Sequence, residues 1–223
     1  MVDAVIFDCD GVLVDSEILA IRFGLRAVKA LGLSYDEDEY IHRFLGITME
    51  AYYKKLDDAH RDAHGTPIPD GFFETLLRDS KKEMDASLVA VGGTHDAIRS
   101  TSTPVAVASS SGLERLHFKL RKTELEEFFG PHIYSGEQVK NGKPAPDLYL
   151  HAAEQLGIPS KSCVAIEDSV HGVTSAKAAD MTVIGFTGGG HCRPGHDAYL
   201  SDAGADVVIG HMDDLGKTLA RLS

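Results

Sequence analysis

The sequence predicts an α/β fold: a Rossmann-like parallel sheet with helices on both faces, into which an all-helical segment is inserted. Three observations carry this expectation. Apolar runs of strand length recur along the chain. From residue 112 onward they alternate with helical patterns. Residues 16–87, between the first and second runs, show helical periodicity with no convincing strand.

Val2 to Asp8 is a short, β-branched-rich run that ends in acidic residues and Gly11, as expected of a strand buried on both faces. Similar runs recur at Pro104–Ser109, Ser162–Glu167, Met181–Phe186 and Asp206–Ile209, with His132–Ser135 a weaker case. Gly112–Lys122, Asp147–Leu156 and Ser169–Ala179 read as the helices between them. The inserted block carries helical patterns around Leu19, Arg26–Leu31, Tyr40–Leu45, Met49–Leu56 and Phe72–Met84. Gly65 to Gly71, rich in Gly and Pro, reads as a loop inside it. The expected division is therefore a core of residues 1–15 and 88–223 and a helical cap of 16–87, joined through Asp15-Ser16-Glu17 and Asp85–Gly93.

Charge narrows the function classes. Lys and Arg total 22 against 34 Asp and Glu, a formal net of -12. That excess argues against nucleic acid as the partner, because phosphate-backbone binding needs a basic patch. A phosphorylated small molecule would need a local cation to approach so acidic a surface. No run of membrane-spanning length and no secretion signal is seen, and Cys9, Cys163 and Cys192 form no CxxC. The expectation is a soluble, cytoplasmic protein with reduced thiols, no membrane partner and, most simply, a monomeric state.

The strongest local signal is Phe7-Asp8-Cys9-Asp10-Gly11. Residues two apart at a strand end point to one side, so Asp8 and Asp10 face a common site and Cys9 faces away. Two carboxylates so close repel, and a bound Mg²⁺ relieves the repulsion because hard cations take oxygen ligands. One carboxylate can then attack phosphorus while the other exchanges a proton with the leaving oxygen and with water. An acidic turn would show the same residues, so three further clusters matter, each just after an expected strand. Ser109, Ser110 and Ser111 before Gly112 offer hydroxyls and backbone N–H groups to an anion, or a serine-rich helix cap. Lys140-Asn141-Gly142-Lys143-Pro144 offers an ammonium, and spacing alone does not choose between its two lysines. Glu167-Asp168 ends a buried run, where two acids are costly unless paired or bound to metal. In open α/β sheets ligands bind at the carboxyl ends of the strands, so the four clusters can converge.

In order and spacing these motifs resemble the haloacid dehalogenase-like superfamily over nearly the whole chain, and the helical block is similar to the cap of its sugar-phosphatase and β-phosphoglucomutase branch. The resemblance implies a Mg²⁺-dependent phosphatase of a small phosphorylated metabolite, a sugar or polyol phosphate. It implies Asp8 as the nucleophile that becomes aspartyl-phosphate and Asp10 as general acid and base. Ser109, Ser110 and Lys143 would bind the phosphoryl group. The ion would be held by Asp8, the main-chain carbonyl of Asp10, and Asp168, with Glu167 acting through water. An aspartate at position 10 disfavours the dehalogenase branch. A phosphosugar mutase is the alternative, weakened by Ala20 where that enzyme has a cap histidine and by Gly46-Ile47-Thr48-Met49, which lacks its arginine. A non-catalytic phosphate-binding protein is the second alternative.

Three groups of residues receive no role. His191-Cys192-Arg193-Pro194-Gly195-His196 matches no zinc spacing and reads as a flexible surface loop near the active-site rim. Cys9 reads as a buried, inert thiol, and His42, Arg43, Tyr52 and Tyr53 as cap core or solvated face.

Overall fold

In a computed structural model of the chain, residues 2–44 and 49–222 are described. Contacts divide it into two compact units, Met1–Asp15 with Val89–Ser223, and Ser16–Leu88.

The first unit is built on six parallel strands: β1 (Ala4–Phe7), β2 (Val105–Ser109), β3 (Ile133–Ser135), β4 (Cys163–Glu167), β5 (Thr182–Phe186) and β6 (Val207–Ile209). Their order in the sheet is β3-β2-β1-β4-β5-β6. The chain thus winds outward from β1 through β2 to β3, then returns to β1's other side and winds outward again. The carboxyl ends of β1 and β4 flank the point where the winding reverses, the place where such sheets form a crevice.

Register aligns the chemistry. Phe7 pairs with Val107 on β2 and with Ile166 on β4. Asp8, Ser109 and Glu167 therefore all fall within two residues of this row. The β1, β2, β4 and β5 strands are buried almost throughout, which matches their continuous apolar runs and requires cover on both faces. Alternate residues separate the faces. Ala4, Ile6, Ala106, Ala108, Ala165 and Val183 pack with side chains of three helices, α8 (Asp147–Leu156), α9 (Val170–Ala178) and α10 (His196–Asp202). Alanine at so many of these positions lets the helix backbones approach closely. On the opposite face Phe7 meets Phe129 of α7 (Glu126–Phe129) edge to face, 6.0 Å between ring centres. Helices α5 (Thr94–Ser100), α6 (Leu113–Lys122) and α11 (Leu215–Leu222) complete the unit.

The second unit contains α1 (Ser16–Ala30), α2 (Glu37–Phe44), α3 (Met49–His64) and α4 (Phe72–Ser87) and, among the described residues, no strand. Ile21, Val28, Leu31, Tyr40, Phe44, Leu56 and Ile68 form its core. Gly24 is small for a reason: a Cβ there would lie 1.7 Å from the Tyr40 hydroxyl, so α1 and α2 cross over its backbone. His60 and His64 are satisfied by the carbonyls of Thr66 and Leu31 at 2.8 and 3.0 Å. Tyr52 packs on Phe44, and Arg43 lies 4.9 Å from the Tyr35 ring centre, so both have structural work within this unit. Ser16 and Glu17, read from sequence as linker, are the first turn of α1, and Asp85–Ser87 are the last of α4. Of the Gly46-Ile47-Thr48-Met49 segment, residues 46–48 lie outside the described residues. No helix among those described is long and apolar enough to cross a membrane.

Candidate active site

Immediately beyond β1 the backbone turns sharply. Leu13 and Val14 donate to the Cys9 carbonyl at 2.9 and 3.0 Å, and Gly11 donates to Val14 at 2.8 Å. Gly11 has φ 76°, and a Cβ there would lie 1.8 Å from an Asp168 carboxylate oxygen. Both the left-handed backbone and the absent side chain are needed, because the turn carrying Asp10 is pressed against the acids that follow β4.

Asp8 is 7% exposed and its amide donates to the Ile166 carbonyl, which ties β1's end to β4. Its Oδ1 accepts from Lys143 Nζ at 2.6 Å. The same ammonium donates to Glu167 Oε1 at 2.6 Å and to the Ala108 carbonyl at 2.9 Å, and stands 4.9 Å from the Tyr149 ring centre. Lys143 therefore joins β1, β2 and β4 through one nitrogen. The competing Lys140 is exposed. Glu167, fully buried, also accepts from the Tyr149 hydroxyl at 2.7 Å and from Ser169 Oγ at 3.2 Å. Gly172 in α9 makes room for it: a Cβ there would sit 1.9 Å from the Glu167 carboxyl carbon.

Asp10 turns to the β2 side. Its Oδ2 accepts from Ser111 Oγ at 2.8 Å and from Ser109 Oγ at 3.5 Å, and its Oδ1 is paired with Lys119 Nζ. Lys119 also donates to Ser111 Oγ at 2.8 Å, and Ser109 Oγ accepts from the Ser111 amide at 3.1 Å. Ser110 is exposed just beyond β2.

The electrostatics follow from burial. Asp8 is pushed well above the usual carboxylate range by burial; Lys143 opposes this, while Glu167, Asp168 and Asp10 add to it. Burial works against the Lys143 ammonium, but Asp8 and Glu167 outweigh it and hold the lysine well above its ordinary value. Lys119 behaves alike: burial is the largest cause and lowers it, but the Asp10 charge, Cys9 and the hydrogen bond to Asp10 together outweigh burial, and the net shift is upward. Burial, then Glu167, pushes Tyr149 up, so it remains a phenol donor. Burial raises Cys9 likewise, which agrees with an inert thiol.

Asp8, Glu167 and Asp168 each place a carboxylate oxygen within 4.8 Å of the others. Three buried acids face one ammonium in Lys143, an excess of negative charge that suits a hard divalent cation. Both Glu167 oxygens already accept hydrogen bonds, so Asp8 and Asp168 are the carboxylates best placed to ligate directly.

Four contributors escaped the sequence. Lys119 occupies an inward position of α6 beside Leu116 and Leu120, and a lysine at an apolar spacing was the available signal. Tyr149 has the same character on α8. His191 and His196 stand out in sequence only as part of a loop near the active-site rim, without a role. Far from lying on the surface, His191 is buried, its Nε2 3.1 Å from Asp168 Oδ2, and His196 Nε2 donates to the Asp168 carbonyl at 2.6 Å. The fold brings this loop onto Asp168 because β5, which precedes it, is β4's neighbour in the sheet.

Similarity to known proteins runs over most of the chain. Residues 5–186 match the model of a family described as haloacid dehalogenase-like hydrolase. A phosphorylated carbohydrates phosphatase of Thermotoga maritima is 33% identical over 80% of this chain and 82% of its own. A 6-phosphogluconate phosphatase of Escherichia coli K12 is 28% identical over 86% of both. A solved hydrolase of the same family from Deinococcus radiodurans R1, with bound phosphate and sodium, superposes with a TM-score of 0.87 at 36% identity, covering 98% of this chain and 95% of its own.

Proposed function

The chain belongs to the haloacid dehalogenase-like hydrolase family, and on that premise we propose that it is a Mg²⁺-dependent phosphatase of a small phosphorylated metabolite, of the sugar or polyol phosphate class. The observation that carries the reading is the Asp8 carboxylate, buried at the reversal point of the sheet and held by Lys143 at 2.6 Å among further acids.

In this reading Asp8 attacks phosphorus in line. An Asp8 oxygen–phosphorus bond forms, the ester P–O bond breaks, and the departing alkoxide takes a proton from Asp10. Water then attacks the aspartyl-phosphate, gives its proton back to Asp10, and releases phosphate and Asp8. Ser111 and Lys119 hold the Asp10 carboxyl in place, and Ser109, at β2's end, with Lys143 receives the phosphoryl oxygens. Asp8, Asp168 and the Asp10 carbonyl would hold Mg²⁺, which when bound would offset the negative charge of the phosphoryl group. Glu167 keeps Lys143 in position and would meet the ion through water.

Ala20, exposed on α1 where a phosphosugar mutase has its cap histidine, favours hydrolysis over transfer between two positions of one sugar. The test is phosphate release, with and without Mg²⁺, from a panel of sugar, polyol and small-acid phosphates that includes β-glucose 1-phosphate. Mg²⁺-dependent release from a subset is expected. Isomerisation of β-glucose 1-phosphate with a bisphosphate primer, without release, would transfer the case to the mutase. Binding of a phosphate analogue with no turnover of any kind would make the chain a non-catalytic binder.

A further inference from the structure

We propose that His191, Cys192 and His196 form a second metal site, suited to a divalent ion of the zinc class, and that occupying it draws His191 away from Asp168. These three residues each place a ligand atom within 4.8 Å of the other two. Sequence spacing hides the site, because the turn of backbone through Arg193–Gly195 closes it only in three dimensions.

The Cys192–His191 separation suits a shared ion, and the His196 ligand atom lies within 4.8 Å of both. Cys192 Sγ lies 3.5 Å from His191 Nε2. Sulfur at about 2.3 Å and imidazole nitrogen at about 2.0–2.1 Å from a tetrahedral ion are separated by about 3.5 Å. The imidazoles of His191 and His196 are edge to face, with 5.7 Å between ring centres and an 83° interplanar angle, so the rings converge without stacking. The Asp168 carbonyl can only accept, so His196 Nε2 carries its proton and Nδ1 holds the lone pair. A histidine whose far nitrogen donates to a backbone carbonyl is oriented as metal-binding histidines are.

Chemistry separates this set from the acids nearby. A thiolate with two imidazoles selects borderline or soft ions, whereas the all-oxygen Asp8–Glu167–Asp168 group selects a hard one. Three protein ligands leave a tetrahedral ion one open position. An aqueous route exists: a cleft of about 450 Å³, lined by Thr187, Cys192, Arg193, Gly195, Asp197 and Val208, reaches Cys192 from solvent. Ligation of Cys192 releases its thiol proton to water.

The two centres share Asp168. His191 Nε2, the nitrogen beside Cys192, is also the one 3.1 Å from Asp168 Oδ2, and it cannot serve both an ion and that carboxylate. Filling the soft site takes the His191 contact away from the Asp168 carboxylate and slows turnover; this coupling rests on the phosphatase reading, whereas binding does not.

The experiment titrates Co²⁺, as a coloured stand-in for zinc, into the full chain in excess Mg²⁺. A thiolate-to-cobalt charge-transfer band that saturates at stoichiometric metal, persists in Mg²⁺ and is displaced by Zn²⁺ is the expected result. Cys192→Ser should lose the band, and His196→Gln should weaken binding by more than about tenfold, the smallest loss seen when a group that merely orients a ligand is removed. Cobalt binding with no thiolate band, equal affinity in Cys192→Ser, or displacement by Mg²⁺ would overturn the site. None of these readouts needs turnover, so failure here is distinct from failure of the phosphatase reading. In the activity arm Zn²⁺ slows phosphate release by the wild type, and Cys192→Ser resists it; full turnover by the zinc-loaded wild type would overturn the coupling.

Discussion

Replacing Lys143 by methionine keeps most of the aliphatic stem and removes the charge that stands between Asp8 and Glu167. The side chains of Lys143, Asp8 and Glu167 are 5%, 10% and 0% exposed, so water cannot take over the lysine's role. At 2.6 Å, and with an effective dielectric of about 20, each contact corresponds to roughly 6 kcal/mol of Coulomb attraction. Desolvation cancels much of this in the intact pair, but removing one partner leaves the acids with their desolvation cost unrelieved, a loss of about 3–5 kcal/mol. Tyr149 and Ser169 still donate to Glu167, so the lower half of that range is expected. Urea denaturation at neutral pH should show a lower midpoint with an unchanged slope.

The pH dependence of that loss has a definite sign. Asp8 already sits well above the usual carboxylate range, and without Lys143 it rises further. A carboxyl whose folded pKa exceeds its unfolded one binds its proton more tightly in the native state. The Lys143→Met variant is therefore relatively most stable in acid, and its deficit against wild type grows as pH rises through the wild-type folded value of Asp8 toward the variant's higher one. Mg²⁺ should restore more stability to the variant than to wild type. A midpoint within about 1 kcal/mol of wild type, insensitive to pH and Mg²⁺, would refute the view that Lys143 neutralises buried acids.

Asp8→Asn should abolish phosphate release without lowering the melting temperature, because a buried acid with an unfavourable ionised form is replaced by a neutral isostere; retained release in a clean preparation would remove Asp8 from the nucleophile's place. Lys119→Met strips Asp10 of its ammonium, and since Asp10 keeps 20% side-chain exposure the stability loss should stay near the low end of about 1.5–3 kcal/mol, read by denaturation, while phosphate release falls at least about tenfold. Gly172→Ala drives a methyl into the Glu167 carboxylate and should cost about 1–3 kcal/mol together with activity; an unperturbed variant would mean that α9 can shift freely. Leu56→Ala, in the core of the helical unit, should cost about 2–5 kcal/mol, with hydrogen-exchange protection lost first in Ser16–Leu88.

The six strands and the three strongest helical patterns were legible because sheet and helix periods are local. A strand buried on both faces shows as an unbroken apolar run, as β1, β2, β4 and β5 do. The short helices α5, α7 and α10 were missed, since four to seven residues span too little chain for a 3.6 period to register. Helix α11, eight residues long, is amphipathic but barely exceeds two turns, so its period was also too short to register. The boundaries of the helical unit were blurred at both ends, where Ser16-Glu17 and Asp85–Ser87 have a linker's composition but continue the helix.

By itself the sequence determined the parallel α/β plan, the helical insertion, and the set of acids, hydroxyls and lysines at strand ends. Each of these is written in residues close together along the chain, and an alternating fold places all strand ends on one edge. Only the tertiary structure decided that Lys143 rather than Lys140 reaches Asp8, that Lys119 holds Asp10, and that His191, Cys192 and His196 gather behind Asp168. Those contacts with Asp168, Asp10 and Asp8 span 28, 109 and 135 residues of chain, and nothing local encodes them. They follow from strand order and helix packing, which decide which side chains share a dry space and so which charges must meet.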